Sequence, residues 1–172
     1  MQFEVSSYAK INSFLNVLGK RADGYHEIYT HFQLLELKDT LFFSKSSQNQ
    51  VFCDGITPEE NIILKSVEWF NNKFDKNQHF SVTVEKNIPM GAGLGGGSSN
   101  AAATLCFLCD YHGIERRLLD FHEISYELGA DIPIFIFGKS AFASGIGEKI
   151  GEESSDKSVS YTHLRAHETT VY

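Results

Sequence analysis

The stretch Pro89-Met-Gly-Ala-Gly-Leu-Gly-Gly-Gly-Ser-Ser99 constrains this chain most, because five of the seven residues from Gly91 to Gly97 are glycine. Glycine lacks a Cβ, so its amide can turn inward and approach a ligand closely. The run is bounded by regular patterns. Before it, His79 to Glu85 alternates, with Phe80, Val82 and Val84 on one side, and predicts a half-exposed strand. Behind it, Ser98 to about Tyr111 predicts a helix that opens on Asn100-Ala-Ala-Ala-Thr-Leu105. A helix starting behind such a bend adds unpaired N–H groups and the positive end of its dipole. The arrangement reads as a phosphate cradle. A mobile linker is the bland alternative, and linkers rarely join an alternating strand to an alanine-rich helix.

The remaining chain supplies a β-rich opening and a helical middle. Phe3 to Ile11 predicts a strand, and Phe14 to Leu18 continues it. Gly19-Lys-Arg-Ala-Asp-Gly24 is a polar turn, Tyr25 to Leu37 a further strand, and Thr40 to Ser44 another. Val51 to Cys53 is a short strand candidate. Thr57-Pro-Glu-Glu60 reads as a helix start, and Ile63, Val67, Phe70 and Phe74 share one helical face. Leu118 to Leu128 predicts a helix ended by Gly129. Asp131 to Phe137 and Ala141 to Ala143 are expected to be strands or extended segments. Periodicity stops after about Gly147. We therefore expect one domain over residues 1–150, followed by a tail, 151–172, that lies outside the fold.

Composition excludes several classes. A net charge of −7 argues against broad nucleic-acid binding, which wants a basic face. No apolar run approaches membrane-spanning length, and the first residues lack the basic and apolar regions of a signal peptide, so the expected setting is cytoplasmic. Cys53, Cys106 and Cys109 give no disulfide framework, and the Cys106/Cys109 spacing lies in an apolar helix, where buried thiols are expected rather than a metal site. His163 and His167 fall in the tail.

Three glycine-loop chemistries compete. The Walker pattern fails, since Gly97 stands where its lysine belongs. The spacing Gly91, Gly93, Gly96 satisfies the dinucleotide pattern, but the preceding strand alternates and Lys86-Asn-Ile-Pro89 intervenes, where a continuously apolar strand should run into the first glycine. Protein-kinase signatures are absent. The loop does resemble the phosphate-binding motif of the GHMP kinase superfamily. Ala9-Lys-Ile-Asn-Ser-Phe-Leu15, Gly19-Lys-Arg-Ala-Asp-Gly-Tyr-His26 and Gly129-Ala-Asp-Ile-Pro133 extend the likeness over residues 1 to about 150. Together they are similar to the branch that phosphorylates the 2-hydroxyl of 4-diphosphocytidyl-2-C-methyl-D-erythritol.

The resemblance implies an α+β domain of the ribosomal protein S5 domain 2-like kind, with ATP and Mg²⁺ as cofactors. The nucleotide would lie against Pro89, Met90, Gly91, Ala92, Gly93, Leu94, Gly95, Gly96, Gly97, Ser98 and Ser99, with Asn61 near the adenine. It implies Asp131 as the catalytic base and Lys10 as its neighbour, steering the hydroxyl and stabilising charge on the transferred group. Pro133 is expected to hold Ile132 extended beside that base. Asn12, Tyr25 and His26 would bind the substrate, the last two at its cytidine end. The small-molecule substrate would be a cytidine diphosphate-linked methylerythritol. Members of this family continue into a second lobe, so a chain with both catalytic residues, only part of the binding surface and weak or absent activity of its own is expected, with an apolar face that favours homo-oligomers. Other kinases of the superfamily, acting on mevalonate, homoserine or a sugar, remain alternatives, as does a non-catalytic module binding RNA or protein.

Overall fold

Two strands, β1 (Gln2–Lys20) and β2 (His26–Lys45), form an antiparallel hairpin on which the rest of the domain is built. The computed structural model describes residues 2–55, 57 and 61–151. Of the predicted tail, residues 152–172 lie outside the described residues, as do Pro58, Glu59 and Glu60 of the predicted helix start, while its first residue, Gly151, belongs to the fold and pairs in the sheet opposite Phe142. The turn of the hairpin is shorter than the polar stretch suggested. Pairing runs on to Lys20 and His26, and the Arg21 amide closes the turn on the Tyr25 carbonyl at 2.8 Å.

The hairpin register slips after Tyr8, after Asn12 and after Val17. The first slip matters most. Phe3, Val5, Ser7 and Ala9 alternate toward the interior, and then Lys10 follows Ala9 inward while Ile11 faces out. A bulge re-aims side chains by one position, and here it turns a lysine into the protein.

β2 is one strand where two were expected. Lys38-Asp39-Thr40 looks like a turn by composition. Asp39 instead keeps the inward phase of Leu41 and Phe43 and is wholly buried. Along its other edge, β2 pairs with β5 (Ala141–Gly145) through residues 28–32 and with β4 (Phe80–Glu85) through residues 40–45, both antiparallel. β3 (Gln50–Phe52) pairs parallel to β4, and β6 (Lys149–Gly151) antiparallel to β5, completing a mixed sheet.

Helices cover one face. α1 (Ile62–Phe74) starts at Asn61, whose side chain accepts from the Ile63 amide at 3.0 Å. α2 (Gly96–His112) begins two residues earlier than predicted, inside the glycine run. α3 (Phe121–Glu127) is shorter than predicted, because Asp120 caps it by accepting from the His122 and Glu123 amides and Arg116–Leu118 is a 3₁₀ turn. The core joins Leu41 and Phe43 of β2 and Phe80 and Val82 of β4 to Ile63 and Phe70 of α1 and Leu105 and Leu108 of α2, all nearly or fully buried. Each such side chain contributes about 1.5–3 kcal/mol on removal from water.

Residues 132–137 correct the expectation of an extended segment. They form a short helix, α4 (Ile132–Phe137), ended by Gly138. Proline restricts the residue before it, but it fits the first turn of a helix, where its missing N–H has no partner to lose. The unbroken apolar run Ile132-Pro-Ile-Phe-Ile is consistent with a helix buried between α2 and the sheet: Ile132, Pro133, Ile134 and Ile136 are all buried.

Candidate active site

The bulge in β1 and the start of α4 meet. Lys10, 5% exposed, places Nζ 3.1 Å from Asp131 Oδ2. It also donates to Asn12 Oδ1 at 2.7 Å and lies 5.3 Å from the centre of the Phe32 ring. Asn12 donates in turn to Thr30 Oγ1 at 2.8 Å, and Thr30 donates to the Phe14 carbonyl at 2.6 Å. Asp131 precedes the first turn of α4 but makes no side-chain capping bond there. Its carboxylate, about a third exposed, is left to Lys10 and to whatever enters from solvent.

The glycine loop is fastened to the same place. The Lys10 backbone amide donates to the Leu94 carbonyl at 2.9 Å. Gly95, at φ 72°, lies so close above the lysine that a Cβ there would stand 2.8 Å from Phe135 Cζ and 3.2 Å from Lys10 Cε. Gly95 is also the N-cap of α2, which has no side-chain cap. The first amides of that helix therefore have no intrahelical acceptor and no capping side chain. They open on a hollow of about 220 Å³ lined by Lys86 and by residues 89–97. Gly91 and Gly93 border it with nothing within 4 Å of an added Cβ. The loop has the space and the donors that a polyphosphate requires. An open groove of about 730 Å³ adjoins it, sharing Lys86 and Met90 and walled by Val51, Phe52, Cys53 and Val84 together with the polar Asp54, Thr83 and Glu85.

The structure brings Lys10, Asn12, Asp131 and the loop together. Ser98 lies in the first turn of α2, partly exposed. Ser99 is buried, and its Oγ accepts from Ser7 at 2.8 Å. Asn61 is buried at the α1 cap, distinct from the loop. Tyr25 and His26 are exposed at the hairpin turn, outside the Lys10 cluster.

Two further groups escaped the sequence reading. Asp39 Oδ1 accepts from the Asn87 and Ile88 amides, both at 2.8 Å, and Oδ2 accepts from Lys86 Nζ at 2.5 Å and Asn100 Nδ2 at 3.0 Å. Burial pushes its carboxyl up, but the Ile88 amide, Lys86, the Asn87 amide and Asn100 together hold it below the ordinary range. It knots the segment entering the glycine loop to the first turn of α2. Tyr126 of α3 is the second, at the hairpin turn.

A model for the GHMP kinases N terminal domain matches residues 61–139. The chain carries a GHMP kinase N-terminal domain. The fold agrees: a crystal structure of 4-(cytidine 5'-diphospho)-2C-methyl-D-erythritol kinase superposes with a TM-score of 0.72 at 34% identity, covering 88% of this chain and 55% of that one. A 4-diphosphocytidyl-2-C-methyl-D-erythritol kinase of Francisella tularensis subsp. novicida (strain U112) is 46% identical over 148 residues, 83% of this chain and 54% of that protein. Its counterpart in Marinomonas sp. (strain MWYL1) is 40% identical over 161 residues, 90% of this chain and 52% of that protein. The chain spans about half the length of these curated relatives. Among the described residues of this GHMP domain, no helix is long and apolar enough to cross a membrane, and no group of three or more His, Cys, Asp or Glu could hold a metal ion.

Proposed function

We propose that this chain transfers the γ-phosphate of ATP to the 2-hydroxyl of 4-diphosphocytidyl-2-C-methyl-D-erythritol, in the cytoplasm, on the non-mevalonate route to isoprenoid precursors. The names of its relatives support the substrate. The chemistry rests on one observation: Lys10 pairs with Asp131 while its own backbone amide holds the glycine loop, so charge, base and anion cradle share one anchor.

The loop amides and the uncapped start of α2 take the β- and γ-phosphates, and the adjoining groove beyond Met90, lined by apolar and polar side chains alike, takes the nucleoside. The acceptor hydroxyl lies against Asp131. As its oxygen bonds to the γ-phosphorus, Asp131 takes the proton. The bond from that phosphorus to the bridging oxygen breaks, and ADP leaves with the electron pair. A base so placed contributes about 10²–10⁴ in rate. Lys10, held by Asn12, keeps its ammonium on the oxygens where charge develops. A magnesium ion brought in with the nucleotide would find Ser98 Oγ, in the partly exposed first turn of α2, as a protein ligand, and would supply neutralisation of phosphate charge. Ser99, turned inward, supports the helix start. Tyr25 and His26 take the cytosine, by stacking and by hydrogen bonding to its edge. Association of copies through the exposed Leu15, Val17 and Leu18 belongs to the same reading, and sedimentation measures it.

The test is single-turnover phosphate transfer with the chain in excess over labelled ATP, with magnesium and the cytidylated substrate. Slow transfer is expected from a chain spanning about half of its relatives, with Asp131→Asn at least a hundredfold slower still and ATP affinity within twofold of the parent. Equal rates would remove Asp131 as base. Transfer to mevalonate with indifference to cytidine compounds would overturn the substrate.

A further inference from the structure

The hairpin turn that presents Tyr25 and His26 is braced internally and tied to a distant helix. Within the turn, the Gly24 amide donates to the Arg21 carbonyl at 3.2 Å, and the Tyr25 amide donates to Asp23 Oδ1 at 3.1 Å. Arg21 donates from Nε to Asp23 Oδ2 at 3.1 Å and from Nη1 to Glu27 at 3.2 Å. These bonds shape the turn without fixing where it points. The tie outward is Tyr126. Its hydroxyl accepts from Arg21 Nη2 at 3.0 Å and donates to Asp23 Oδ2 at 3.1 Å. Its ring meets Tyr25 edge-on, with centres 5.1 Å apart and planes at 74°, and His122 packs on it at 4.7 Å. Burial, and then the bond to Asp23, hold the phenol above its ordinary range, so it remains a donor at neutral pH.

α3 leads directly to the proposed base. After Tyr126 the chain closes the helix through the Gly129 amide on the Ile124 carbonyl at 3.0 Å, and the Ile132 amide returns to the Gly129 carbonyl at 3.1 Å. Asp131 sits inside that tight bend. One side chain thus joins the turn carrying Tyr25 to the segment carrying Asp131.

We propose that Tyr126 is a positioning residue that sets Tyr25 and His26 at a fixed offset from Asp131, so that a substrate's pyrimidine and its acceptor hydroxyl are gripped in register. The proposal rests on the assignment of this turn to the cytidine end of the substrate. It makes Tyr126 a determinant of nucleobase affinity although it lies on neither the glycine loop nor the hairpin.

Cytidine 5′-diphosphate and ADP are titrated separately into the whole chain by calorimetry, in the parent and in Tyr126→Phe and Tyr126→Leu. Tyr126→Phe keeps the ring and loses both hydroxyl bonds. It is expected to weaken cytidine diphosphate binding about tenfold, the worth of one to two such bonds, and to leave ADP within twofold. Tyr126→Leu, which also loses the ring contact, weakens it further. A role confined to stability would lower both affinities together, and that result overturns the proposal. So does a parent and Tyr126→Phe that bind cytidine diphosphate equally, which leaves the substrate assignment standing. A parent that binds ADP but shows no cytidine diphosphate binding refutes the nucleobase assignment itself and takes Tyr126 with it.

Discussion

Alanine at Gly95 tests the claim that the glycine loop is wedged over Lys10. Two costs add. At φ 72° an L-residue pays the left-handed penalty, about 1–2 kcal/mol. The new methyl would also stand 2.8 Å from Phe135 Cζ and 3.2 Å from Lys10 Cε. Neither neighbour yields freely. Phe135 belongs to α4, and Lys10 is held at its nitrogen by Asp131 and Asn12. Overpacking of this kind costs about 1–3 kcal/mol. The sum is about 2–5 kcal/mol.

Gly93 is the internal control. It has the same backbone sign, φ 73°, with nothing within 4 Å of the added carbon. Gly93→Ala therefore carries only the left-handed penalty. For a domain of this size each kcal/mol moves Tm by about 2–4 °C, so Gly95→Ala falls by roughly 4–20 °C and Gly93→Ala by roughly 2–8 °C. The assay is thermal unfolding by circular dichroism, with ATP affinity measured on the folded variants. Gly95→Ala is expected to lose ATP affinity at least tenfold, because relieving the clash displaces the loop from the strand that anchors it. Equal Tm values for the two variants would show that Gly95 does not press on Lys10 and Phe135.

Asp39→Asn removes a charge that two amides, a lysine and an asparagine are arranged to receive, and is expected to cost about 3–5 kcal/mol in urea unfolding at pH 7. Its folded carboxyl lies below the unfolded value of about 3.9, so the contribution is present above that pH and is lost as pH falls through the folded value; the gap between parent and variant should shrink below about pH 4, and a gap constant from pH 7 to 3 contradicts the assignment. Lys10→Met should stop phosphate transfer while changing stability by about 1 kcal/mol or less, because Asp131 is exposed enough to remain hydrated without its partner; a loss above about 3 kcal/mol would make the pair structural. Burial, and then Cys106, push Cys109 up to about 11, and burial raises Cys53 and Cys106 as well; Cys109 is buried, whereas Cys53 and Cys106 are half-buried. A disulfide reagent at pH 8 should modify Cys53 and Cys106 before Cys109, which reacts only on unfolding, and three equal rates would contradict the packing of α2.

What the sequence makes legible follows from how local each cause is. The alternation of Phe80, Val82 and Val84 and the spacing of Ile63, Val67 and Phe70 are local patterns, and both elements stand where they predict. Residues 132–137 misled because an apolar run of that length fits a buried strand as well as a buried helix turn, and only packing between α2 and the sheet decides. The split in β2 has the same origin. An aspartate flanked by lysine and threonine reads as a turn, and it belongs to a continuous strand only because Lys86, Asn87, Ile88 and Asn100, all distant in sequence, converge on it.

The candidate site shows the same division more sharply. Motif residues point to Lys10 and Asp131 as a pair, but nothing local explains why a lysine next to a buried alanine should also face inward. In strict alternation Ala9 and Lys10 take opposite faces, and one of them must be solvated. The register slip between Tyr8 and Lys10 removes that conflict, and it is a property of the β1–β2 pairing rather than of either strand. Once the slip is made, Lys10 Nζ reaches Asp131 while its amide takes the Leu94 carbonyl. A lysine that faced solvent would leave the loop and the carboxylate with no common anchor. The bulge, not the glycine run alone, is what turns an anion-binding bend into a site with a cation and a base beside it.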